Sequence, residues 1–338
     1  MEIYQRKRLP TVAIVILNYN GITWFEKFLS GIITYSSESS IYIIDNASTD
    51  DSIIYLNEHF PDVKIIHNQK NYGYAGGYNE GLKSISEDIY CLLNSDVEVT
   101  ENWISPILSL FKEDASIAAI QPKILSYREK NKFEFAGAAG GFIDNLGYPF
   151  CRGRIFFSIE KDSGQYNNNQ EIFWATGACL FIRKKDFWGQ KGFDYDFFAH
   201  MEEIDLCWRL KNDGRKIYYC SESTVYHYGG GTLDPYNPHK TYLNFRNNLL
   251  MLIKNLPANK VLWIFLLRLV LDGFAGINFI FSNGWKYCWA VIRAHFSVYK
   301  MLPKYLKKRK AGLPDYFDKK NIVFQYFIKK RTKYTHLK

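Results

Sequence analysis

Val12-Ala-Ile-Val-Ile-Leu-Asn-Tyr-Asn-Gly21 is the stretch that decides the fold: six apolar residues run without a polar break into Asn18, Asn20 and a glycine. An apolar run of this length, ended by turn residues, reads as a strand buried on both faces, the pattern of a parallel sheet. The pattern returns in Ile41-Tyr-Ile-Ile-Asp-Asn-Ala-Ser-Thr-Asp50 and in Tyr90-Cys-Leu-Leu-Asn-Ser-Asp-Val-Glu98. Strands are expected at 12–17, 41–45, 63–67, 89–94 and 117–121. Helices are expected near 22–34, 51–58, 76–86 and 101–112, with Ser105-Pro106 suited to a helix start. This alternation predicts an α/β, Rossmann-like, mostly parallel sheet flanked by helices. Such sheets bind ligands beyond the carboxyl ends of their strands. Asn18, Asp45 and Asp96 are therefore expected to converge on one crevice, and an enzyme acting on a nucleotide-linked substrate is the leading reading.

Further along, glycines and aromatics interleave over 133–170, an apolar strand is expected over 171–183, and a helix over Glu202–Asn212 with Gly214 as its left-handed stop. Strands at 216–220 and 224–228 lead into Gly229-Gly-Gly231, and the chain turns helical after 240. Residues 261–282 are the most apolar stretch, with only Arg268 and Asp272 charged; four apart, these can pair on one helix face. The stretch approaches the length of a membrane span, but burial in protein or lying in a bilayer surface is the expectation.

Charge is uneven. The net charge is +9, and residues 301–338 hold 12 Lys/Arg against 2 Asp, or +10, which leaves about −1 for the rest. A basic end among aromatic and apolar residues points to an anionic membrane surface; no nucleic-acid-binding motif accompanies it. None of the six cysteines forms a Cys-x-x-Cys pair, which fits a reducing compartment. Met-Glu-Ile-Tyr-Gln-Arg-Lys-Arg runs straight into the first strand without the look of a signal peptide, so a cytoplasmic protein is expected.

Several residues carry chemistry. Asp96, at a strand end, suits a divalent ion held through oxygen, and Glu98 would share its face of a strand. Asp45 is placed to accept a hydrogen bond from a nucleotide base, although turn and helix-cap roles suit Asp45, Ser48 and Asp50 equally. Asn71-Tyr-Gly-Tyr-Ala-Gly-Gly-Tyr-Asn-Glu-Gly81 follows the third strand rather than the first, so it is a poor dinucleotide loop. Its glycines are expected to let backbone approach a ligand, with Asn79 facing it. Glu202, Glu203 and Asp205 open a helix; acids so close raise one another's pKa, which suits a general base. His227 ends a strand before the glycine run, where metal or phosphate contact competes with a structural role.

Taken in order, Val-Ile-Leu-Asn-Tyr-Asn-Gly, Ile-Ile-Asp-Asn-Ala-Ser-Thr-Asp, Asn-Tyr-Gly-Tyr-Ala-Gly-Gly-Tyr-Asn, Leu-Leu-Asn-Ser-Asp-Val-Glu, Gly-Ala-Cys-Leu-Phe-Ile-Arg, Glu-Glu-Ile-Asp-Leu-Cys-Trp-Arg and His-Tyr-Gly-Gly-Gly span 12–232. This ordered set resembles the inverting family 2 glycosyltransferases of the GT-A fold, in particular the rhamnosyltransferase-like and galactofuranosyltransferase-like branch. The resemblance implies a GT-A domain over 1–240, with a nucleotide-sugar half (1–120) and an acceptor half (121–240); the apolar 261–282 stretch and the basic residues after it make 241–338 a helical, basic region expected to associate with a membrane. It implies transfer of a sugar from a nucleoside-diphosphate donor to a saccharide or lipid-linked acceptor in cell-surface polysaccharide synthesis, on the inner face of the cell membrane.

By position, Glu203 matches the acceptor-activating base, supported by Glu202 and Asp205. Asp45 and Asn18 match nucleotide contacts, and Asn20, Asn46, Asn79, Asn94 and Ser95 fall in the same donor-binding motifs. Asp96 and His227 match ligands of Mg²⁺ or Mn²⁺, and Trp174 with Gly177 the acceptor platform. One departure is that Asn94 stands where the first acid of Asp-x-Asp occurs, which removes one charge; Glu98 could compensate. Two other readings are a sugar-phosphate nucleotidyltransferase, which usually needs a basic glycine-rich loop after the first strand, and a glycan-binding or scaffold protein with a weakened site.

Overall fold

The structure, a computed structural model, describes residues 10–229, 237–310 and 312–337. Gly230 and Gly231 of the glycine run lie outside the described residues. The apolar runs form β1 (Val12–Asn18), β2 (Ser40–Asp45), β3 (Lys64–His67) and β4 (Ile89–Leu93), all parallel in the spatial order β4-β1-β2-β3. The sheet continues beyond β4 with β5 (Val97–Val99), β6 (Ile117–Ser126), β11 (Gln170–Ile172), β12 (Cys179–Arg183) and β13 (Lys216–His227). β12 is antiparallel between β4 and β6, β13 is parallel to β6, and β11 and β5 flank β13 antiparallel. Both halves thus share one nine-stranded, mixed sheet. A small antiparallel sheet of β7 (Gly141–Ile143), β8 (Pro149–Cys151), β9 (Arg154–Ile155) and β10 (Ser158–Ile159) stands beside it.

Helices cover both faces, because alternate residues of β1 feed different layers. Val12, Ile14 and Ile16 pack with Phe25 and Phe28 from the continuous helix made of α1 (Ile22–Trp24), a π-turn (Phe25–Leu29) and α2 (Ser30–Thr34), and with Ile107 and Phe111 of α5 (Ser105–Glu113). Ala13 and Val15 pack with Tyr78 of α4 (Gly73–Gly81), Trp208 of α7 (Glu202–Asn212) and Leu250 of α8 (Pro238–Asn255). Each such aliphatic burial stabilises by roughly 1.5–3 kcal/mol. α3 (Ser52–His59) and α6 (Lys184–Gly189) complete the layers. All six cysteines are free thiols, five of them buried, as small hydrophobes in a core would be.

Three expectations are corrected. The stretch 171–183 is two strands, β11 and β12, broken by a loop in which Thr176 N–H donates to Gln121 Oε1 at 3.0 Å. The interruption is tertiary: β11 pairs with β13, β12 with β4 and β6, and the loop between them is aimed at the crevice. The two strands expected at 216–228 are one, with a bulge between Cys220 and Thr224. The glycines of α4 serve packing rather than a ligand. A Cβ on Gly77 would lie 2.8 Å from Leu17 of β1, and one on Gly81 2.3 Å from Ile44 of β2, so the helix lies flat on the sheet only without side chains there.

The C-terminal region begins inside the core, through Leu249, Leu250, Met251 and Leu252 of α8. α9 (Ala258–Ser282) and α10 (Trp285–Lys308) then fold back on each other as an antiparallel hairpin, with Phe265 against Tyr299, Asp272 against His295 and Phe279 against Tyr287. Arg268 and Asp272 pair as the sequence predicts, Nε to Oδ1 at 3.4 Å, and both are buried.

Candidate active site

A cavity of about 1030 Å³ opens at the carboxyl edge of the sheet. It is lined by Asn94 and Asp96 from the turn after β4, by His227 from the end of β13, and by Glu202 and Glu203 from the first turn of α7. Thr176, Gly177 and Ala178 from the β11–β12 loop line it as well. Antiparallel pairing of β13 with β5 sets His227 opposite Val97, one residue after Asp96. That register brings His227 Nε2 within 3.1 Å of Asp96 Oδ1 and 3.3 Å of Asn94 Nδ2. The other ring nitrogen, Nδ1, lies 3.3 Å from Glu134 Oε2 in a buried position without an aligned hydrogen bond. Burial opposes a charge on this imidazole, but the Glu134 and Asp96 carboxylates outweigh it and push its pKa up to about 10.

The acids of α7 divide into two kinds. Glu202 is buried, and desolvation, reinforced by the neighbouring Glu203, holds its carboxyl well above the ordinary range. Glu203 keeps partial exposure in the cavity wall; desolvation lifts it to about 7, and hydrogen bonds from the backbone around Glu203, Ile204 and Gly177 restrain the rise. One oxygen of each, Oε2, is buried with no hydrogen-bond partner in the protein, an unmet demand of the kind that a substrate hydroxyl satisfies.

Asp205 is different. It is fully buried and accepts from Arg209 Nε at 2.8 Å, Lys254 Nζ at 2.9 Å and Asn255 Nδ2 at 2.8 Å. Burial works against its charge, but Lys254 and Arg209 hold it below the usual carboxylate range. It does not reach the cavity; it ties α7 to α8.

The loop feeding α7 is strained: Phe198, His200 and Met201 have φ of 62°, 72° and 73°, a conformation that costs non-glycine residues and collects at functional sites. Asn247 of α8 holds it there by donating to the carbonyls of Phe197, Ala199 and His200 at 2.8, 2.9 and 2.8 Å. His200 lines the cavity with a buried, unpartnered Nε2, and burial together with Lys240 and His239 lowers its pKa to about 4, so it is neutral.

The remaining expected donor contacts cluster elsewhere on the same edge. Parallel register sets Asn18 beside Asp45. Asn18 Nδ2 donates to Asp45 Oδ1 at 3.3 Å, Ser48 Oγ at 3.0 Å and Ser52 Oγ at 2.9 Å, while its Oδ1 is buried without a partner. Asp45 also takes the Ser48 N–H and lies 3.8 Å from His67 Nδ1. Neither residue lines the cavity itself; strands of a sheet stand about 4.8 Å apart, so β2 ends roughly 10 Å across from β4.

Asn46, Asn79 and Trp174 are corrected to scaffolding, while Asn20 stays exposed at the edge of the sheet. Asn20 Oδ1 accepts from Thr49 N at 2.7 Å. Asn46 is buried and spent on Asn71, Gly73, Asn68 and Tyr72. Asn79 both donates to Phe193 O at 2.8 Å and accepts from Phe193 N at 2.9 Å, fixing the turn before the strained loop. Trp174 is buried and its indole donates to Phe142 O at 2.9 Å; its neighbour Gly177 lines the cavity instead, held by Tyr74 OH on its carbonyl at 2.8 Å. Ser95 sits in the turn between Asn94 and Asp96 but not in the cavity wall. Glu98 turns away to an ion pair with Lys130 at 2.5 Å, and Glu134 is the carboxylate that faces His227 instead. No motif marks Glu134 in the sequence; His200 stands two residues before the acidic pair, close enough in the chain to share its site.

Residues 13–189 match the Glycosyl transferase family 2 domain, just over half of the chain. The chain belongs to glycosyl transferase family 2. Relatives within that likeness include the low-salt glycan biosynthesis hexosyltransferase Agl10 of Haloferax volcanii, 24% identical over 254 residues, covering 73% of this chain and 76% of the relative. The N-acetylglucosaminyl-diphospho-decaprenol L-rhamnosyltransferase of Mycobacterium tuberculosis is 24% identical over 239 residues, covering 65% of this chain and 76% of the relative. Among solved structures, GalNAc-T7 with UDP, GalNAc and Mn²⁺ superimposes with a TM-score of 0.56 at 16% identity, over 73% of this chain. The chain spans about half (48%) of that structure, and the likeness shows the shared GT-A-like fold. In this family 2 glycosyltransferase the acidic pair and the Asp96–His227 pair line one cavity at the carboxyl edge of the sheet.

Proposed function

We propose that this enzyme moves a sugar, with inversion, from a nucleoside-diphosphate donor to a saccharide or lipid-linked acceptor in cell-surface polysaccharide synthesis, working in the cytoplasm against the inner face of the membrane. The observation that carries the reading is the partly exposed Glu203 carboxylate, lifted to about 7 and short of one hydrogen bond, lining the same cavity as Asn94, Asp96 and His227.

Glu203 takes the proton from the acceptor hydroxyl. With a pKa near the working pH it is both ionised often enough and basic enough to do so. Glu202, whose burial favours the protonated carboxyl, limits negative charge beside the developing alkoxide. The acceptor oxygen attacks the anomeric carbon from the Glu203 side while the diphosphate leaves on the Asp96 side, so one in-line displacement inverts the centre; holding both partners in line supplies much of the rate. Arg128, exposed at the cavity rim and stacked 4.3 Å from the Tyr228 ring, is placed to meet phosphate charge. Asp45, with Asn18 beside it, is the acceptor offered to a base-ring N–H.

Asp96 and His227 are the residues that would hold Mg²⁺ or Mn²⁺. The donor set fits: carboxylate oxygen and neutral imidazole suit Mn²⁺, Nε2 of His227 lies 3.1 Å from Asp96 Oδ1, and an ion bound there would displace the imidazole proton. Among the described residues no three His, Cys, Asp or Glu side chains form a ready-made cage; donor phosphate oxygens and water would supply the other ligands. A bound ion neutralises charge on the departing diphosphate.

The test is nucleoside-diphosphate release from a panel of UDP-, GDP- and dTDP-sugars, with Mn²⁺, Mg²⁺ or chelator, by the wild type and Glu203→Gln. Release that depends on one donor and on Glu203 supports the reading; a Glu203→Gln variant as fast as the wild type overturns it.

A further inference from the structure

The α9–α10 hairpin exposes far more apolar surface than a soluble protein leaves uncovered. On α9, Trp263, Leu266, Val270, Phe274, Ile277 and Phe281 recur at helical spacing, with Trp263 73% and Phe281 85% exposed. On α10, Trp285, Trp289, Ile292, Phe296, Tyr299 and Leu306 form a second exposed stripe at intervals of three, four or seven residues, with Trp285 66% and Phe296 67% exposed. Ala290, Val291, Ala294, Val298 and Tyr305 form its buried side.

Beside that apolar stripe runs a row of cations. Lys286, Arg293, Lys300 and Lys307 are spaced seven apart, all exposed, and none makes an ion pair among the described residues. Seven residues are close to two turns, so the row shares one face of the helix. Over 258–308 the chain has eight Lys/Arg and a single acid, Asp272, which is buried.

We infer that the hairpin is an in-plane membrane anchor: both helices lie along an anionic lipid surface, apolar stripes in the boundary between headgroups and chains and the cation row on lipid phosphates, with α9 not crossing the bilayer. This deepens the membrane location in the reading above and rests on it.

Three observations favour this over the alternatives. α9 is long and apolar enough to span, but its middle carries Arg268 and Asp272, which are buried against protein. Arg268 donates to Asn248 Oδ1 at 2.6 Å and stacks 3.9 Å from the Tyr148 ring, and Asp272 lies 3.3 Å from His295 Nε2. Spanning would strip these partners and set both charges in hydrocarbon. A second copy of the chain is a poor occupant, since pairing the stripes of α10 would set two all-cationic rows side by side. An amphipathic surface with Trp and Phe beside Lys and Arg is the pattern that binds anionic lipid interfaces. Asn283, in the hairpin turn, also lines the catalytic cavity, so a surface that holds the hairpin also faces the mouth through which a lipid-linked acceptor would enter.

The experiment is flotation of the full chain with vesicles of phosphatidylcholine alone or mixed with phosphatidylglycerol, for the wild type, the triple variant K286E/R293E/K300E, and Phe296→Ser. Binding is expected only with the anionic lipid, and weakened in the triple variant at least roughly hundredfold, since each surface cation near anionic lipid is worth about fivefold. Tryptophan fluorescence that is lost in a variant with Trp263, Trp285 and Trp289 all changed to Phe should be quenched by lipids brominated near the headgroup more than by lipids brominated near the chain end. Equal flotation with neutral lipid, an unaffected triple variant, or deep quenching as strong as shallow overturns the inference. A soluble dimer that Phe296→Ser dissociates, without lipid binding, overturns it in favour of self-association. Donor turnover in detergent that needs Glu203 but ignores the triple charge reversal separates failure of the anchor from failure of the enzymatic reading.

Discussion

Two polar clusters occupy the carboxyl edge of the same sheet, and they are built in opposite ways. At the ends of β1 and β2, Asn18, Asn20, Asp45, Asn46 and Ser48 spend nearly every polar atom on one another and on nearby backbone. In the cavity, Glu202, Glu203, His200 and His227 each keep a buried atom without a hydrogen bond, and all four have displaced pKa values. A satisfied network is rigid scaffold; unsatisfied atoms and displaced protons are held in reserve for a ligand. Within the first cluster Asn18 Oδ1, beside Asp45, is the buried atom left without a partner, and the proposal that this end meets the donor rests on it.

The comparison can be broken by substitutions that should act on activity in one cluster and on stability in the other. Glu203→Gln should have the largest effect on rate, lowering transfer about 10²–10⁴-fold, and it should also raise the melting temperature above neutral pH. The sign follows from the raised pKa. The folded state favours the protonated acid, so Glu203 carries no penalty below its unfolded pKa of about 4.3; the penalty grows as pH rises and is complete above about 7. Glutamine removes it, so melts of the two proteins should separate at pH 8 and converge at low pH. Asp205→Asn leaves Lys254 and Arg209 buried without full compensation and should cost about 3–5 kcal/mol of stability, a fall in melting temperature on the order of 10 °C, with turnover of the folded fraction within about tenfold of wild type. Asn46→Ala should destabilise by about 1–3 kcal/mol and leave the apparent KM for donor nearly unchanged. The smallest effect belongs to Trp174→Phe, which loses one hydrogen bond worth about 0.5–1.5 kcal/mol and should not alter acceptor use, because the ring is buried.

Much of this was legible in the chain because buried parallel strands are written as unbroken apolar runs, and the residues after them must sit at one edge. The α7 boundaries, the Gly214 stop with φ of 74° and the Arg268–Asp272 pair followed from local rules. What stayed hidden was tertiary. Only the β13–β5 register places His227 on Asp96, and only the loop after β6 delivers Glu134 to the other side of that ring. Asn46, Asn79 and Asp205 look like site residues because their motifs lie beside the site; which way a short polar side chain is spent depends on distant backbone, such as Phe193, or on Lys254 of α8. The break between β11 and β12 is marked in the chain only by Thr176-Gly177 within an otherwise apolar run, and the pairing of the two halves with different strands is tertiary.

The most direct measurement is the pH dependence of nucleoside-diphosphate release under single-turnover conditions, wild type against Glu203→Gln. The account predicts a wild-type rate that rises through an inflection near pH 7 to a plateau, and a variant that is slow at every pH with the inflection gone. A variant that keeps the wild-type rate, or the same inflection, would contradict it.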